Sequence, residues 1–267
     1  MTGMPLLDTR GRRGRIMRLP VSRLRPGLAL DLGSARTRAW VPGRGVILDV
    51  PTVTFSGIGA VYPVQRGTII DTEGAARMLD RLLGRAFPRF VRPLIVLTTP
   101  VLGGPAHRSS AHAALAVLRP RAVLTVPGPR AVALAADGDR PGAALVVDVG
   151  AHLTEVALLV DGAVTDAYRT ALGVTDLDGC ATAAELGEAV AKMVKQVLRH
   201  DHTGLSLDAV RRGLLLAGGG ALRPECVHAI AARLKASVQP VAAPHTAALR
   251  GAARLLESAH GHPSAAP

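Results

Sequence analysis

The sequence predicts an α/β fold of two similar lobes, each a mixed sheet flanked by helices. Three observations carry that prediction. Short apolar runs alternate with segments of helical periodicity along most of the chain. The order strand, strand, strand, helix, strand, helix occurs twice. The two occurrences align at a fixed offset of 117 residues, so that Leu30-Asp31-Leu32-Gly33 matches Val147-Asp148-Val149-Gly150 and Thr37 matches Thr154. With 267 residues and 48% hydrophobic content the chain can fill the cores of two lobes.

Taken in order, residues 1–26 read as a basic, poorly ordered arm. The first lobe spans 27–142, with strands over 28–32, 36–41 and 46–50 joined by turns at Gly33-Ser34 and Pro42-Gly43-Arg44-Gly45. A helix over 73–86 follows from the spacing of Met78, Leu79, Leu82, Leu83 and Phe87. Then come a buried strand over 94–98, a helix over 109–118, a strand over 122–126 and a helix over 129–136 that Pro129 opens. The second lobe, 143–245, repeats the plan with strands over 144–149, 154–160 and 163–170 and a helix over 183–200. It closes with a strand over 214–217, a helix over 224–234 and a short strand near 238–241. A helix within 246–258 packs back between the lobes, and 259–267 is a tail.

Each repeat opens on Asp-apolar-Gly-x-x-x-Thr. Such a pattern puts an acid at a strand end, followed by a turn whose backbone N–H groups can face phosphate oxygens. The acid can hold hydrated Mg²⁺ between itself and those oxygens. One such turn is ordinarily just a hairpin. Two in a duplicated frame point to facing phosphate sites across a cleft. A third loop, Gly218-Gly219-Gly220-Ala221-Leu222, follows the apolar strand at 214–217, and its glycines let backbone approach a ligand closely.

These motifs resemble those of MreB, the bacterial rod shape-determining family of the actin/Hsp70/sugar-kinase superfamily. Asp31 to Thr37 is similar to its first phosphate motif, Asp148 to Glu155 to its second, and Gly218 to Leu222 to its adenosine loop. Gly67-Thr68-Ile69-Ile70-Asp71, Val126 with Pro129, and Ala248-Leu249-Arg250-Gly251-Ala252 fall between and after them in family order. The stretch from Gly45 to Val53 favours MreB over other superfamily members. The resemblance implies a duplicated, RNase H-like, bilobed ATPase fold. The resemblance is to a shortened and divergent member, with both small subdomains reduced or missing, between Phe55 and Tyr62 and between Gly173 and Ala183.

The resemblance further implies ATP as ligand, held by Asp31, Gly33, Ser34, Ala35, Arg36, Asp148, Gly150, Ala151, His152, Gly218, Gly219, Gly220 and Ala221. It implies Mg²⁺ at Asp31 and Asp148. Several positions depart from the family. Ala151 and His152 replace glycines, Arg36 replaces an asparagine and either pairs with phosphate or is solvated, and the lost second subdomain takes its base and ribose contacts with it. Pro127 and Gly128 stand where the family carries acids, including the one that orients the attacking water, so hydrolysis is expected to be weak or absent. His107, His112, His200 and His202 lack ligating partners in the sequence, and Glu185 and Glu188 read as a solvated helix face.

Charge sets the remaining expectations. The net charge is +12, but all except three of the 32 basic residues are arginine, and seven of those crowd into the arm against Asp8 alone. One tryptophan, two tyrosines and three phenylalanines are too few for a base-stacking surface, which disfavours nucleic acid. The arm suits an anionic membrane surface, with glycines and prolines that keep the attraction electrostatic. No apolar stretch of about 18 residues and no secretory h-region are seen, and Cys180 and Cys226 form no framework, so the expected place is the cytoplasm, with membrane association through the arm. The expected function is a cell-shape or cytoskeletal protein that self-associates or binds cell-wall and cell-shape proteins. A small kinase of the same superfamily and a nucleotide-free scaffold stay open as alternatives.

Overall fold

The computed structural model describes residues 26–57, 59–137 and 141–261. The arm up to residue 25 and the tail from 262 lie outside the described residues.

The first lobe begins with three antiparallel strands, β1 (Gly27–Leu32), β2 (Arg36–Val41) and β3 (Gly45–Pro51). Two small hairpins follow, β4 (Thr54–Ser56) with β5 (Gly59–Val61) and β6 (Val64–Gln65) with β7 (Thr68–Ile69). Next are α1 (Thr72–Leu83), β8 (Leu94–Thr99), α2 (Gly104–Leu115), β9 (Ala122–Pro127) and α3 (Gly128–Asp137). The second lobe has β10 (Ala143–Val149), β11 (Thr154–Val160), β12 (Ala163–Thr170), α4 (Ala183–His200), α5 (Leu205–Arg212), β13 (Leu214–Ala217), α6 (Pro224–Leu234) and β14 (Val238–Pro240). Helix α7 (Ala247–Gly261) follows. The sheet orders are β3-β2-β1-β8-β9 and β12-β11-β10-β13-β14, the same path twice. This is a mixed α/β fold built twice over, as the duplication in the sequence predicts.

The first sheet buries both faces. Leu28, Leu30, Ile95 and Leu97 meet α1 and α2 on one side, and Ala29, Leu94 and Val96 meet α7 on the other. In the second sheet Leu145, Val147, Leu214 and Leu216 face α4 and α6, while Val146, Ala157 and Leu159 face α3. Helices α3 and α7 therefore form one layer shared by both sheets. Their backbones touch, since a Cβ on Gly251 would lie 1.8 Å from the Ala131 carbonyl oxygen.

Local chemistry sets the ends of several elements. The Asp71 carboxylate accepts from the Gly74 N–H at 2.7 Å and starts α1 at Thr72, and Gly84 ends it before the expected Ala86. Thr182 and Glu185 form a reciprocal capping box that starts α4, so Glu185 caps the helix rather than merely decorating a solvated face. Helix α2 begins five residues before its predicted start, because Pro105 sits well in a first turn. The eight-residue α5 is too short to show a helical period in sequence. Between Phe55 and Tyr62 the chain pairs as part of the β4–β5 hairpin rather than forming a plain link. No helix among the described residues is long and apolar enough to cross a membrane.

Candidate functional site

Strand register builds the site. In β1 and β2, Asp31 pairs with Arg38 and Leu32 with Thr37. In β10 and β11, Asp148 pairs with Glu155 and Val149 with Thr154. The turns between these strands close alike. Gly33 N–H donates to the Arg36 carbonyl at 3.0 Å, and Gly150 N–H donates to the Leu153 carbonyl at 2.9 Å. A Cβ on either glycine would stand 3.0 Å from that carbonyl oxygen.

The turn carbonyls are occupied: Ala35 accepts from Thr52 N–H, Gly150 from Val174 N–H and Ala151 from Thr175 N–H, each at 2.9 Å. Among the described residues, the N–H groups of Ser34, Ala35, Ala151 and His152 donate to no protein acceptor. Both turns face a cleft of about 280 Å³ between the lobes. Each turn is thus a small concavity of unspent donors.

The cleft floor is acidic. Asp31 accepts from the Thr98 hydroxyl at 2.7 Å and faces Arg38 at 3.5 Å. Burial still raises its pKa above the ordinary carboxylate range, against the pull of Thr98 and Arg38. Burial, with the nearby charge of Asp31, pushes Asp148 up to about 7. Burial and Asp148 push Glu155 up to about 8, although Glu155 accepts from the Val101 N–H of the first lobe at 2.8 Å. Gly128 opens α3 beside this pair, and a Cβ there would be 3.7 Å from Asp148 Oδ2 and 3.9 Å from Glu155 Oε2.

The glycine loop after β13 packs against the second turn. Gly218 has φ +82°, and a Cβ on it would lie 2.2 Å from the Val149 carbonyl oxygen and 2.5 Å from Asp148 Oδ1. A Cβ on Gly220 would lie 2.4 Å from Val149 Cγ1 and 3.3 Å from Val174 Cγ1. Gly218 and Gly219 line the cleft, while Gly220 and Ala221 are buried behind it.

A strap crosses the cleft mouth. Arg66, at the β6–β7 turn with φ +47°, donates to Asp176 Oδ1 at 3.1 Å and to the Ala171 carbonyl, both in the second lobe. The adjoining Gly67 N–H reaches Ser34 Oγ at 3.4 Å, and a Cβ on Gly67 would meet Leu153 Cδ2 at 2.7 Å. The hairpin tip thereby touches both turns.

The other residues singled out in sequence fall as follows. Asp31, Gly33, Ser34, Ala35, Arg36, Asp148, Gly150, Ala151 and His152 all line the cleft. Arg36 is neither simply solvated nor unpaired, because Nε donates to Asp49 Oδ1 at 2.5 Å and Nη2 to the Asp49 carbonyl at 2.7 Å. Burial works against the Asp49 charge, but Arg36 and Arg38 outweigh it and hold its carboxyl below the ordinary range. His107 also lines the cleft, and burial together with Arg169 lowers its pKa. His200 contacts the Tyr168 hydroxyl away from the cleft. Sequence reasoning passed over Arg38, Thr98, Val174 and His245, and it set aside His107, which the structure places in the cleft. Arg38 could have been found from the duplication, since it stands at the repeat equivalent of Glu155. Thr98 and Val174 carry no local motif.

No group of three or more His, Cys, Asp or Glu that could hold a metal occurs among the described residues. Asp31 and Asp148 fit a divalent cation only if water and ligand oxygens complete its shell, the ordinary manner for Mg²⁺.

Comparison with known proteins agrees with this architecture. The family described as MreB/Mbl protein matches residues 54–183 and 180–263. The cell shape-determining protein MreB of Escherichia coli strain K12 is 24% identical over 233 residues, covering 72% of this chain and 67% of the relative. Among solved structures, MreB5 of Spiroplasma citri bound to ADP has a TM-score of 0.75 at 15% identity, covering 89% of this chain and 98% of that one. The MamK double helical filament has a TM-score of 0.70 at 17% identity, covering 86% and 98%. At such identities the structural likeness is one of fold.

Proposed function

The chain belongs to the MreB/Mbl family, and from that premise we propose that it is an actin-like cytoskeletal protein of the cell-shape class. It binds ATP with Mg²⁺ between its lobes, hydrolyses it weakly or not at all, and acts by self-association or by binding cell-wall and cell-shape proteins. The observation that carries the reading is the pair of matched Asp-turns facing one cleft across the duplication. Two neighbours of the same fold, both described as MreB5, hold ADP and AMPPNP, and another is a filament, which supports the reading by analogy.

The residues divide the work. The N–H groups of Ser34, Ala35, Ala151 and His152 bind phosphate oxygens. Thr98 holds Asp31 in place, and Asp31 and Asp148 are the residues that would hold the cation. When bound, Mg²⁺ neutralises phosphate charge and favours the ionised form of Asp148. No side chain at Gly128 orients a water for attack, which supports slow turnover.

Isothermal titration of Mg-ATP into the full chain tests the reading. The wild type should bind, and Asp148→Ala should weaken binding by about tenfold or more. A wild type that binds no Mg-ATP would leave the scaffold alternative instead.

A further inference from the structure

Specificity in a small-molecule site comes from polar groups placed to read the ligand, or from aromatic faces on which a ring can stack. In this cleft those resources are unevenly spread. The unspent backbone donors belong to the two turns, and the carboxylates of Asp31, Asp148 and Glu155 lie on the floor between them. Arg38 and His152 line the same end.

The remaining lining is different. Val64, Pro100, Leu153, Val174, Pro244 and Ala248 offer aliphatic surface, and besides the exposed His245 the further polar side chains are those of Thr99 and the half-buried His107. No phenylalanine, tyrosine, tryptophan, asparagine or glutamine lines the cleft among the described residues, and the chain contains no asparagine at all. The space over the glycine loop is also partly taken. Val174 is drawn against the loop by its N–H bond to the Gly150 carbonyl, and its methyls lie 3.3 Å and 3.6 Å from where Cβ atoms on Gly220 and Gly219 would be. At about 280 Å³ the cleft sits at the lower edge of the range usual for small-molecule pockets.

We infer that this cleft is a receptor for the phosphate chain itself: its ligand class is Mg-bound tri- and polyphosphate, with the nucleoside contributing no selective contact. The inference rests on the binding reading above and deepens it. An aliphatic wall discriminates weakly between bases, whereas paired N–H turns and a shared cation discriminate strongly for phosphate. Each turn supplies two donors and each repeat one aspartate, so a chain of phosphates spans the pseudo-symmetric site from one lobe to the other.

The test is calorimetric titration of the full chain, in excess Mg²⁺, with ATP, GTP and inorganic tripolyphosphate, and with adenosine as a competitor. The expected result is three Kd values within about threefold of one another, and no displacement of tripolyphosphate by adenosine. ATP more than threefold tighter than either GTP or tripolyphosphate, or displacement by adenosine, overturns the inference while leaving ATP binding intact. Failure of all three anions to bind overturns the binding reading and this inference with it.

Discussion

Glu155 is where the chemistry of single residues shows most directly. It crosses from the second lobe to the Val101 N–H of the first, yet burial and Asp148 push its pKa to about 8, and Asp148 itself stands near 7. Both values lie above those of the unfolded chain, so between about pH 4 and pH 8 the native state binds more protons. The stability these two groups contribute is full on the acid side and is lost as pH rises through about 7 and 8. Thermal melts of the ligand-free protein should therefore show the melting temperature falling between about pH 5 and pH 8.5, and Glu155→Gln should flatten that fall. An equal slope in the variant would count against a proton on Glu155. Gly128→Glu places a third carboxyl beside this pair, so single-turnover ATP hydrolysis should rise above background chiefly toward pH 8.5, where the added acid ionises. Robust turnover by the unmodified protein would contradict the role given to Gly128. Much of the site was legible at this scale, because Asp31, Gly33, Asp148 and Gly150 repeat at a fixed offset. Thr98 was not, since a threonine at the end of a buried strand gains meaning only when a parallel neighbour brings an aspartate to it.

Among the elements, the long strands and helices followed from their periodicity, and α4, β11 and β12 match their predicted spans residue for residue. What escaped was short. The β4–β5 and β6–β7 hairpins pair only two or three residues a strand, and nothing in so brief a stretch separates a strand from a link. The strap at Arg66 escaped with them, because its partners Ala171 and Asp176 lie in the other half of the chain. The contact between α3 and α7 explains why Gly251 belongs in its helix: any side chain there would run into the Ala131 carbonyl. Gly251→Ala should lower unfolding free energy by about 3 kcal/mol, measured by urea titration, despite alanine's better helix propensity. A neutral or stabilising effect would mean that the two helices can part without loss.

For the whole molecule, charge and layering matter most. Half of the net +12 comes from the arm, which lies outside the described residues. Near an anionic bilayer each basic residue contributes about 1 kcal/mol, and salt screens it. The full chain should therefore co-sediment with phosphatidylserine vesicles at low salt, and a chain starting at Pro26 should do so much less. Equal partitioning would remove the arm as a tether. The layering has a different consequence, one that concerns the order of synthesis. The inner face of the first sheet, with Ala29, Trp40, Leu94 and Val96, is sealed by Leu249, Ala252 and Leu256 of α7. A ribosome delivers that sheet long before it delivers α7, and at ordinary elongation rates the interval is on the order of ten seconds. Through that interval the nascent chain carries a finished outer face and an inner one that only α3 covers, through Ala131, leaving the apolar surface that α7 later seals. A chain ended before α7 would leave this face without the cover of Leu249, Ala252 and Leu256.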